Sequence, residues 1–186
     1  SRRPNEIIND AKEVVKQGFK EITLLGQTVD SYGRDIKDPK VNLANLLREL
    51  NDIEGLLRIR FVTSYPTDIT DELILTIKEL HKVCEYFHIP MQSGNDKILK
   101  DMKRQYSRAE YLEICEKIRN EIPDVTITSD FIVGFPGETQ TQFEETLSII
   151  DEAEIDYSNT AAYSPRKQTP AATWRDKYID EKTKKE

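Results

Sequence analysis

The chain has 186 residues, of which 37% are hydrophobic and 33% are charged, and its formal net charge is −7. This length is sufficient for one domain with a continuous core, and the composition is typical of a soluble globular protein. No apolar run approaches the roughly 18–20 residues of a membrane span, and the segment from Ser1 to Pro4 does not resemble a secretory signal. The acidic balance argues against a chain that binds nucleic acid through its overall charge.

Cysteines and histidines are too few and too scattered to indicate a metal centre. Cys84 and Cys115 have no second cysteine at ligand spacing, so neither a zinc site nor a disulfide framework is predicted. We interpret both as core thiols in a reducing, cytoplasmic compartment. His81 and His88 have no neighbouring carboxylate motif, which argues against a metal or catalytic-triad role.

Apolar residues recur at helical spacing in several places, and capping signals mark the ends. Pro4 is suited to a first helical turn and Gly18 to a helix end. Capping-box patterns occur at 107–110 and 139–142. The predicted helices contain the apolar stripes at 7–15, 43–50, 73–80, 98–102, 111–118 and 143–150.

Short apolar runs lie between these helices, at 22–25, 57–62, 83–89, 125–133 and 157–163. They are nearly continuous rather than alternating, which is typical of parallel strands covered on both faces. Their spacing of about 25–40 residues is that of βα units. The pattern therefore predicts an α/β fold with parallel strands, arranged either as an open doubly wound sheet or as a barrel.

The loop after each predicted strand is small, polar or rich in glycine. Ligands of parallel α/β folds bind at the carboxyl ends of the strands, so these loops together predict a ligand site. They lie at 26–33, 63–66, 90–94, 134–139 and 164–166.

Each of these loops also has a purely structural interpretation. Residues 134–138 are compatible with a tight turn before a capped helix, and they lack the Gly-Lys-Ser/Thr ending of a P-loop. Gln92 and Ser93 are compatible with capping of a helix that starts near Asn95. Ser64 is compatible with simple turn chemistry before Pro66. The prediction of a site rests on the coincidence of all the loops at one edge.

Two sets of charged residues stand out. Asp130 lies inside an otherwise apolar strand, and because a buried carboxylate must be paired or hydrogen-bonded, a polar pocket is expected there. Basic residues cluster at 97–108, which is more typical of a solvated face, with phosphate contact as the alternative.

These loops resemble the motifs of the methylthiotransferase family of radical S-adenosylmethionine (SAM) enzymes. The matching segments follow the family's order from Ser1 to about Trp174, at 23–27, 88–94, 102–108, 130–139, 163–166 and 169–172. Residues 159–166 are similar to the cyanobacterial and plastid branch. The chain departs from the family in having Thr28 where Asn is usual and Tyr65 where His is common.

The resemblance implies a three-part enzyme with a central radical SAM barrel of six βα units. In the family a domain with one iron–sulfur cluster precedes this barrel, and a small RNA-binding domain follows it. The barrel's first strand ends in a Cys-x-x-x-Cys-x-x-Cys loop, and this chain resembles the part that follows that loop. Residues 1–176 are thus expected to form an incomplete parallel (β/α)6 barrel that lacks its first strand and cluster loop, and residues 177–186 a tail or linker. The open edge of such a barrel predicts self-association.

The implied activity is the transfer of a methylthio group to C2 of a hypermodified adenosine next to the anticodon of tRNA, the dimethylallyl-modified adenosine. The implied cofactors are SAM and two 4Fe-4S clusters, with a reductant such as flavodoxin or ferredoxin as partner. We expect a cytoplasmic or plastid location, no membrane association, and no activity of the chain by itself. Alternatives are a methylthiotransferase for threonylcarbamoyl-adenosine in tRNA or for a ribosomal protein, and a non-catalytic barrel that binds SAM or another nucleotide.

The resemblance also implies residues that bind the methionyl part of SAM, although it identifies no catalytic residue and no metal ligand. Gly26 and Gln27 match the loop near the methionyl amino group. Arg104 matches a partner for the carboxylate. The residues expected to meet polar groups of SAM are Ser64, Gln92, Ser93 and Arg104.

A second group is implied to surround the nucleoside part of SAM. Val133 and Gly134 match the backbone segment that flanks adenine, and Tyr163 is expected nearby. Asp130 and Glu138 are expected to orient the ribose or the loop itself.

Overall fold

The computed structural model describes residues 1–62 and 64–185, so Thr63, at the start of the predicted polar loop after the second strand, lies outside the described residues. Within these ranges helices alternate with strands, as predicted. The helices are α1 (Pro4–Lys16), α2 (Leu43–Asn51), α3 (Asp71–Glu79), α4 (Asp96–Asp101), α5 (Arg108–Glu121) and α6 (Gln140–Glu152). The strands are β1 (Glu21–Leu24), β2 (Arg58–Phe61), β3 (Tyr86–His88), β4 (Thr126–Val133) and β5 (Tyr157–Ala162).

Local signals in the sequence explain where the helices begin and end. Pro4 is the first residue of α1, and Gly18, with a φ of +98°, follows its end. Both predicted capping boxes form: the Ser107 amide donates to the Glu110 carboxylate at 2.7 Å, and the Thr139 amide donates to Gln142 at 2.9 Å. No helix in the described part of the chain has both the length and the apolar composition of a membrane span.

The chain divides into two compact units, the first made of residues 1–88 and 117–126. Its strands β1 and β2 are parallel, with Glu21 opposite Arg58 and Leu24 opposite Phe61, and Val83 adds a parallel bridge beside Ile59. The apolar faces of α2 and α3 fill the core, where Leu47, Leu50, Ile74 and Ile77 are buried.

The second unit consists of residues 89–116 and the residues from 127 onward. Its strands β4 and β5 are parallel, and Gln92 makes a parallel bridge to Phe131. Tyr111 of α5 is fully buried, and its hydroxyl donates to the Ile89 carbonyl at 2.9 Å. The loops that follow β4 and β5 carry three of the predicted SAM-binding residues, Gly134, Glu138 and Tyr163, and β4 itself carries Asp130 and Val133.

Two strands are less covered than their apolar sequences predicted. Residues of β1 alternate between exposed and half-buried, and almost every residue of β5 is exposed. In its own unit each of these strands pairs on one side only within the described residues. Side chains project from the faces of a strand, and on both faces of β5 they remain largely uncovered. By contrast β4 is largely buried.

Candidate functional site

The turn after β4 holds its backbone in a form that only glycine adopts easily. Gly134 has a φ of +69°, and its amide donates a 2.6 Å hydrogen bond to Oε2 of Glu138. The other carboxylate oxygen, Oε1, is buried and has no partner in the described residues. Burial raises the pKa of Glu138, while the amides of Gly134 and Phe135 oppose the rise. Glu138 therefore stabilises the turn through Oε2, and its Oε1 is available to accept a hydrogen bond from a ligand.

Tyr163 lies beside this turn, at the end of β5. Its amide donates to the Val133 carbonyl at 2.8 Å, so it follows directly on the end of β4. Its ring meets the ring of Phe135 edge to face at a centroid distance of 5.2 Å. The hydroxyl is buried, and burial together with the neighbouring Tyr178 raises the pKa of Tyr163. The structure thus brings together Val133, Gly134, Glu138 and Tyr163.

The C-terminal segment covers the same turn, a feature that the sequence did not indicate. The Lys184 ammonium donates to the Tyr163 carbonyl at 3.1 Å and to Glu181 at 2.7 Å. A Cβ added to Gly134 would lie 2.6 Å from Cγ of Lys184, so the methylene chain of this lysine lies against the glycine. In the sequence, Gly134 alone could have suggested this contact, because such a close approach requires a residue without a side chain.

Gln92 and Asp130 lie side by side on neighbouring segments. The Gln92 amide donates to the Asp130 carbonyl at 2.8 Å, and Gln92 is buried with a φ of +75°. Such strain in a non-glycine residue is often found at binding sites. The carboxylate of Asp130 is only half-buried, and it accepts a 3.0 Å hydrogen bond from Asn159 on β5. This partner explains how an acidic residue is accommodated in an apolar strand.

Ser93 has a packing role in this structure. It is fully buried, and its hydroxyl lies 3.3 Å from the Thr146 hydroxyl of α6. The cap of α4 is Asn95, whose side chain accepts from the Ile98 amide at 3.1 Å. The interpretation of Gln92 and Ser93 as the helix cap was therefore wrong, because Asn95 is the better-placed acceptor.

The basic cluster at 97–108 separates into residues with different roles. Lys97 makes an exposed ion pair with Asp101 at 2.7 Å. Arg108 instead bridges to α6, because its Nη1 donates to the carbonyls of Gly94 at 3.0 Å and Glu145 at 2.6 Å. Arg104 is half-buried, and its Nε is buried without a partner in the described residues. A solvated face thus describes Lys97 but not the two arginines.

The remaining predicted residues lie in the first unit. Gly26 and Gln27 line a cavity of about 760 Å³ together with Ile22, Leu24 and Tyr32. The loop after β2 carries Ser64, which is buried; its amide donates to the His88 carbonyl at 3.0 Å, and its hydroxyl has no partner in the described residues.

Asp30 connects the loops after β1 and β2, a role that the sequence pattern did not indicate. Its Oδ2 accepts from the Tyr65 amide at 2.9 Å, and its Oδ1 is buried without a partner in the described residues. Asp68 makes a second connection between the same loops. Its carboxylate accepts a hydrogen bond from the Ser31 hydroxyl and forms an ion pair with Arg34 at 2.6 Å. The two acids hold together the loops that carry the predicted residues of this unit.

Buried polar atoms without a hydrogen-bond partner indicate whether these residues are suited to binding SAM. A buried polar atom without a partner is uncommon and indicates a missing ligand or a functional role. Among the predicted site residues, Arg104 and Glu138 in the second unit each have one, and Ser64 has one in the first unit. SAM offers a carboxylate, an amino group, ribose hydroxyls and an adenine, which are complementary to such donors and acceptors. The residues present therefore suit SAM.

The described residues do not suit an iron–sulfur cluster. Cys115 is buried in α5, and Cys84 is half-buried outside the strands, so only Cys115 is a core thiol. Neither forms a disulfide, and no group of three possible metal ligands occurs in residues 1–62 and 64–185. We therefore assign no chemical step to a cluster held by this chain.

Comparison with known proteins identifies the class to which this site belongs. Residues 1–150 match the model of the radical SAM superfamily, and the chain is a member of that superfamily. The chain is 53% identical over 180 residues to tRNA-2-methylthio-N(6)-dimethylallyladenosine synthase from Thermoanaerobacter pseudethanolicus, a match that covers 97% of the chain and 38% of the relative. It is 54% identical over 171 residues to the protein of the same name from Clostridium tetani, covering 92% and 38%. The chain thus spans 38% of the length of these curated relatives.

Solved structures agree on the fold. The chain is similar to a radical SAM methyltransferase from Kitasatospora setae, with a TM-score of 0.68 and 13% identity over 92% of the chain and 33% of that protein. It is also similar to coproporphyrinogen III oxidase from Escherichia coli, with a TM-score of 0.66 and 15% identity over 99% and 44%. At such low identity these likenesses support the α/β fold with parallel strands, and nothing more specific.

Proposed function

We propose that the chain is the central part of an enzyme that adds a methylthio group to C2 of dimethylallyl-modified adenosine in tRNA. The observation that carries this proposal is the 53% identity over 97% of the chain to a relative of that name. The orphaned polar atoms at the candidate site support it independently.

SAM, together with 4Fe-4S clusters bound elsewhere in the full-length enzyme, would supply the radical chemistry. The task of this chain would be to bind and orient SAM and to keep water from the reacting atoms. Arg104 would hold the carboxylate of SAM through its guanidinium. Gly26, Gln27, Ser64 and Gln92 would meet its other polar groups.

In the second unit Val133 and Gly134 would lie against the adenine, where the absence of a Cβ allows close approach. Glu138 would present its free oxygen to a hydroxyl or amino group while holding the turn. Tyr163 and Asp130 would complete the nucleoside side of the site. Ser93 would support this site from behind through Thr146, since its hydroxyl already has that neighbour.

For the fold, we propose that residues 1–176 form an incomplete (β/α)6 barrel and that residues 177–186 lead toward a further domain. The parallel pairing of β1 with β2 and of β4 with β5 supports this arrangement. The outer edge of β1 would receive the barrel's first strand in the full-length enzyme. Without that strand the chain would self-associate through this edge, so sedimentation of the isolated chain should show dimers or larger species.

The full-length enzyme would act in the cytoplasm, or in the stroma of a plastid, with an electron donor such as flavodoxin or ferredoxin. To test the activity, the full-length gene would be expressed in a bacterial strain that lacks its own enzyme for this modification. Nucleosides from its tRNA would then be analysed by mass spectrometry. We expect methylthiolated dimethylallyladenosine. Modification of threonylcarbamoyl-adenosine, or of a ribosomal protein only, would overturn the proposal.

The SAM-binding roles can be tested separately from activity. In the reconstituted full-length enzyme, Gln92→Ala and Arg104→Ala should each weaken SAM binding roughly tenfold, as expected for loss of one buried hydrogen bond. Lys97→Ala is the matched control, because this side chain is paired with Asp101 on the exposed face. Equal affinity of all the variants would refute these two assignments.

A further inference from the structure

The loop that follows β5 is strongly basic although the chain is acidic. Residues 164–178, here named the basic loop, contain Arg166, Lys167, Arg175 and Lys177 but only one acid, Asp176, in a chain of net charge −7. All four cations are exposed, and none of them forms an ion pair within the described residues. Four like charges close in sequence repel one another, so this arrangement favours an anionic partner.

The basic loop is held in a defined position rather than hanging free. The Gly137 amide donates to the Lys177 carbonyl at 2.9 Å, and the Tyr178 hydroxyl donates to the Ala172 carbonyl at 3.0 Å. The Trp174 ring meets the Phe135 ring edge to face at 6.0 Å. Because Phe135 also contacts Tyr163, the basic loop adjoins the turn that carries the candidate SAM-binding residues.

The basic loop also encloses a concave surface. A cavity of about 650 Å³ is lined by Lys167, Gln168 and Arg175, together with Thr169 and Thr173. Two guanidinium or ammonium groups on one concave surface are the usual means of binding phosphate. The Lys177 ammonium already lies over the Trp174 ring at 5.4 Å, so it stabilises the loop and leaves the other three cations for the ligand.

We propose that the basic loop binds the phosphate backbone of the RNA substrate through Arg166, Lys167 and Arg175. The nature of the polyanion rests on the proposed function, whereas the site itself rests on the charge and shape of the loop. Contacts of this kind add affinity for RNA without reading its sequence. They would bring the anticodon region close to the SAM-binding turn of the same unit.

The test compares two triple variants of the full-length enzyme that change the net charge equally. The first is Arg166→Gln, Lys167→Gln and Arg175→Gln. The control is Lys12→Gln, Lys20→Gln and Lys40→Gln, which removes three exposed lysines that have no ion pair in the described residues of the first unit. The probe is a fluorescent anticodon stem–loop RNA with dimethylallyladenosine, titrated by anisotropy between about 50 and 200 mM salt.

For the first variant we expect RNA affinity to fall by about ten- to a hundredfold at low salt, with the slope of log K against log salt reduced by about 2–3. The control should change the affinity less than threefold. A third variant, Asp176→Asn, should tighten binding severalfold, a gain that misfolding cannot produce. SAM affinity, measured in parallel, should stay constant in all three.

Unchanged affinity and salt slope in the first variant, or an equal loss in the control, would overturn the proposal. If tRNA is still methylthiolated by the wild-type enzyme, only this inference fails and the proposed function stands. If the wild-type enzyme binds no RNA and modifies a protein instead, the proposed function fails and this inference fails with it.

Discussion

The carboxylate of Asp30 accepts a 2.9 Å hydrogen bond from the backbone amide of Tyr65, 35 residues further along the chain. This contact joins the loop after β1 to the loop after β2. Asp68 strengthens the junction, because it accepts a hydrogen bond from Ser31 and forms an ion pair with Arg34. Burial raises the pKa of Asp30 from 3.8 to about 6, and the charge of Asp68 adds to the rise. The amide of Tyr65 and the charge of Arg34 act in the opposite direction.

A raised pKa means that ionised Asp30 costs the folded state free energy at neutral pH. The folded state binds the proton of Asp30 more tightly than the unfolded state does. The stabilisation that this proton provides is complete below pH 4 and is lost as the pH rises through 6. Asp30→Asn keeps an acceptor for Tyr65 and carries no charge. Its free energy of unfolding should exceed that of the wild type by about 1–2 kcal/mol above pH 7, a figure reduced for solvent screening.

The measurement is urea unfolding of the chain at several pH values between 4 and 8. The advantage of Asp30→Asn should disappear near pH 4. The exposed Asp124, which precedes β4, provides the control substitution Asp124→Asn, which removes a carboxylate that is not buried. A gain that is the same at every pH would show that the charge of Asp30 is not its cause.

Gly134 and Gly137 provide a matched pair for testing close approach. Both have positive φ, +69° and +84°, so an alanine at either position is strained by about 1–2 kcal/mol. An added Cβ would lie 2.6 Å from Lys184 at position 134, but 3.6 Å from Lys177 at position 137. Gly134→Ala should therefore lower the free energy of unfolding by about 1 kcal/mol more than Gly137→Ala.

Denaturant titration of both variants in the wild-type and Lys184→Ala backgrounds separates the two effects. Removing the Lys184 side chain should bring the costs of the two alanines together. If the difference persists without Lys184, the close approach is not its origin. In the full-length enzyme Gly134→Ala should also weaken SAM binding, while Gly137→Ala should leave it nearly unchanged.

Local signals made most of the secondary structure predictable. Helices α1, α5 and α6 begin where Pro4 and the two capping boxes indicate, because caps act within one turn of the chain. The same holds for the glycine turn at Gly134, whose special conformation is a property of that residue. The α/β fold followed from the spacing of these elements.

Features that depend on distant partners could not be predicted in this way. Asp30 acts through Tyr65, and the sequence shows nothing of the distance between their loops. Lys97 and Arg108 lie in the same basic cluster, yet one is exposed and the other bridges two elements. The exposure of β5 likewise depends on which elements pack against its faces, and the sequence of β5 does not report this.

Gln168, in the basic loop, has a strained left-handed backbone conformation. Its φ is +70°, it is exposed, and it is not a glycine. Gln168→Gly should raise the free energy of unfolding by about 0.5–1 kcal/mol, because relief of the left-handed strain exceeds the entropy that glycine adds to the unfolded chain. Gln17→Gly, at a φ of −75°, is the control and should destabilise the chain. Thermal unfolding of the two variants measures these changes in stability. A loss of stability at both positions would show that the strain at Gln168 is negligible.

Arg108 connects the start of α5 to α6 through four hydrogen bonds of its guanidinium. It is 20% exposed, and its guanidinium reaches two carbonyls, the Ser148 hydroxyl at 2.9 Å and the Glu152 carboxylate at 2.7 Å. A lysine has one ammonium in place of the planar fork, so Arg108→Lys should cost about 1–2 kcal/mol and Arg108→Ala about 2–4 kcal/mol. Lys97→Ala, which removes an exposed pair, should cost less than about 0.5 kcal/mol.

Urea unfolding followed by tryptophan fluorescence reports on this unit directly, because Trp174 lies in it. A double-mutant cycle with Glu152→Ala then divides the effect of Arg108. The exposed carboxylate should account for less than about 1 kcal/mol, since solvent screens it, and the two carbonyl bonds for most of the remainder. A cycle in which Glu152 accounts for the whole effect would mean that the bonds to Gly94 and Glu145 do not hold α6 in place.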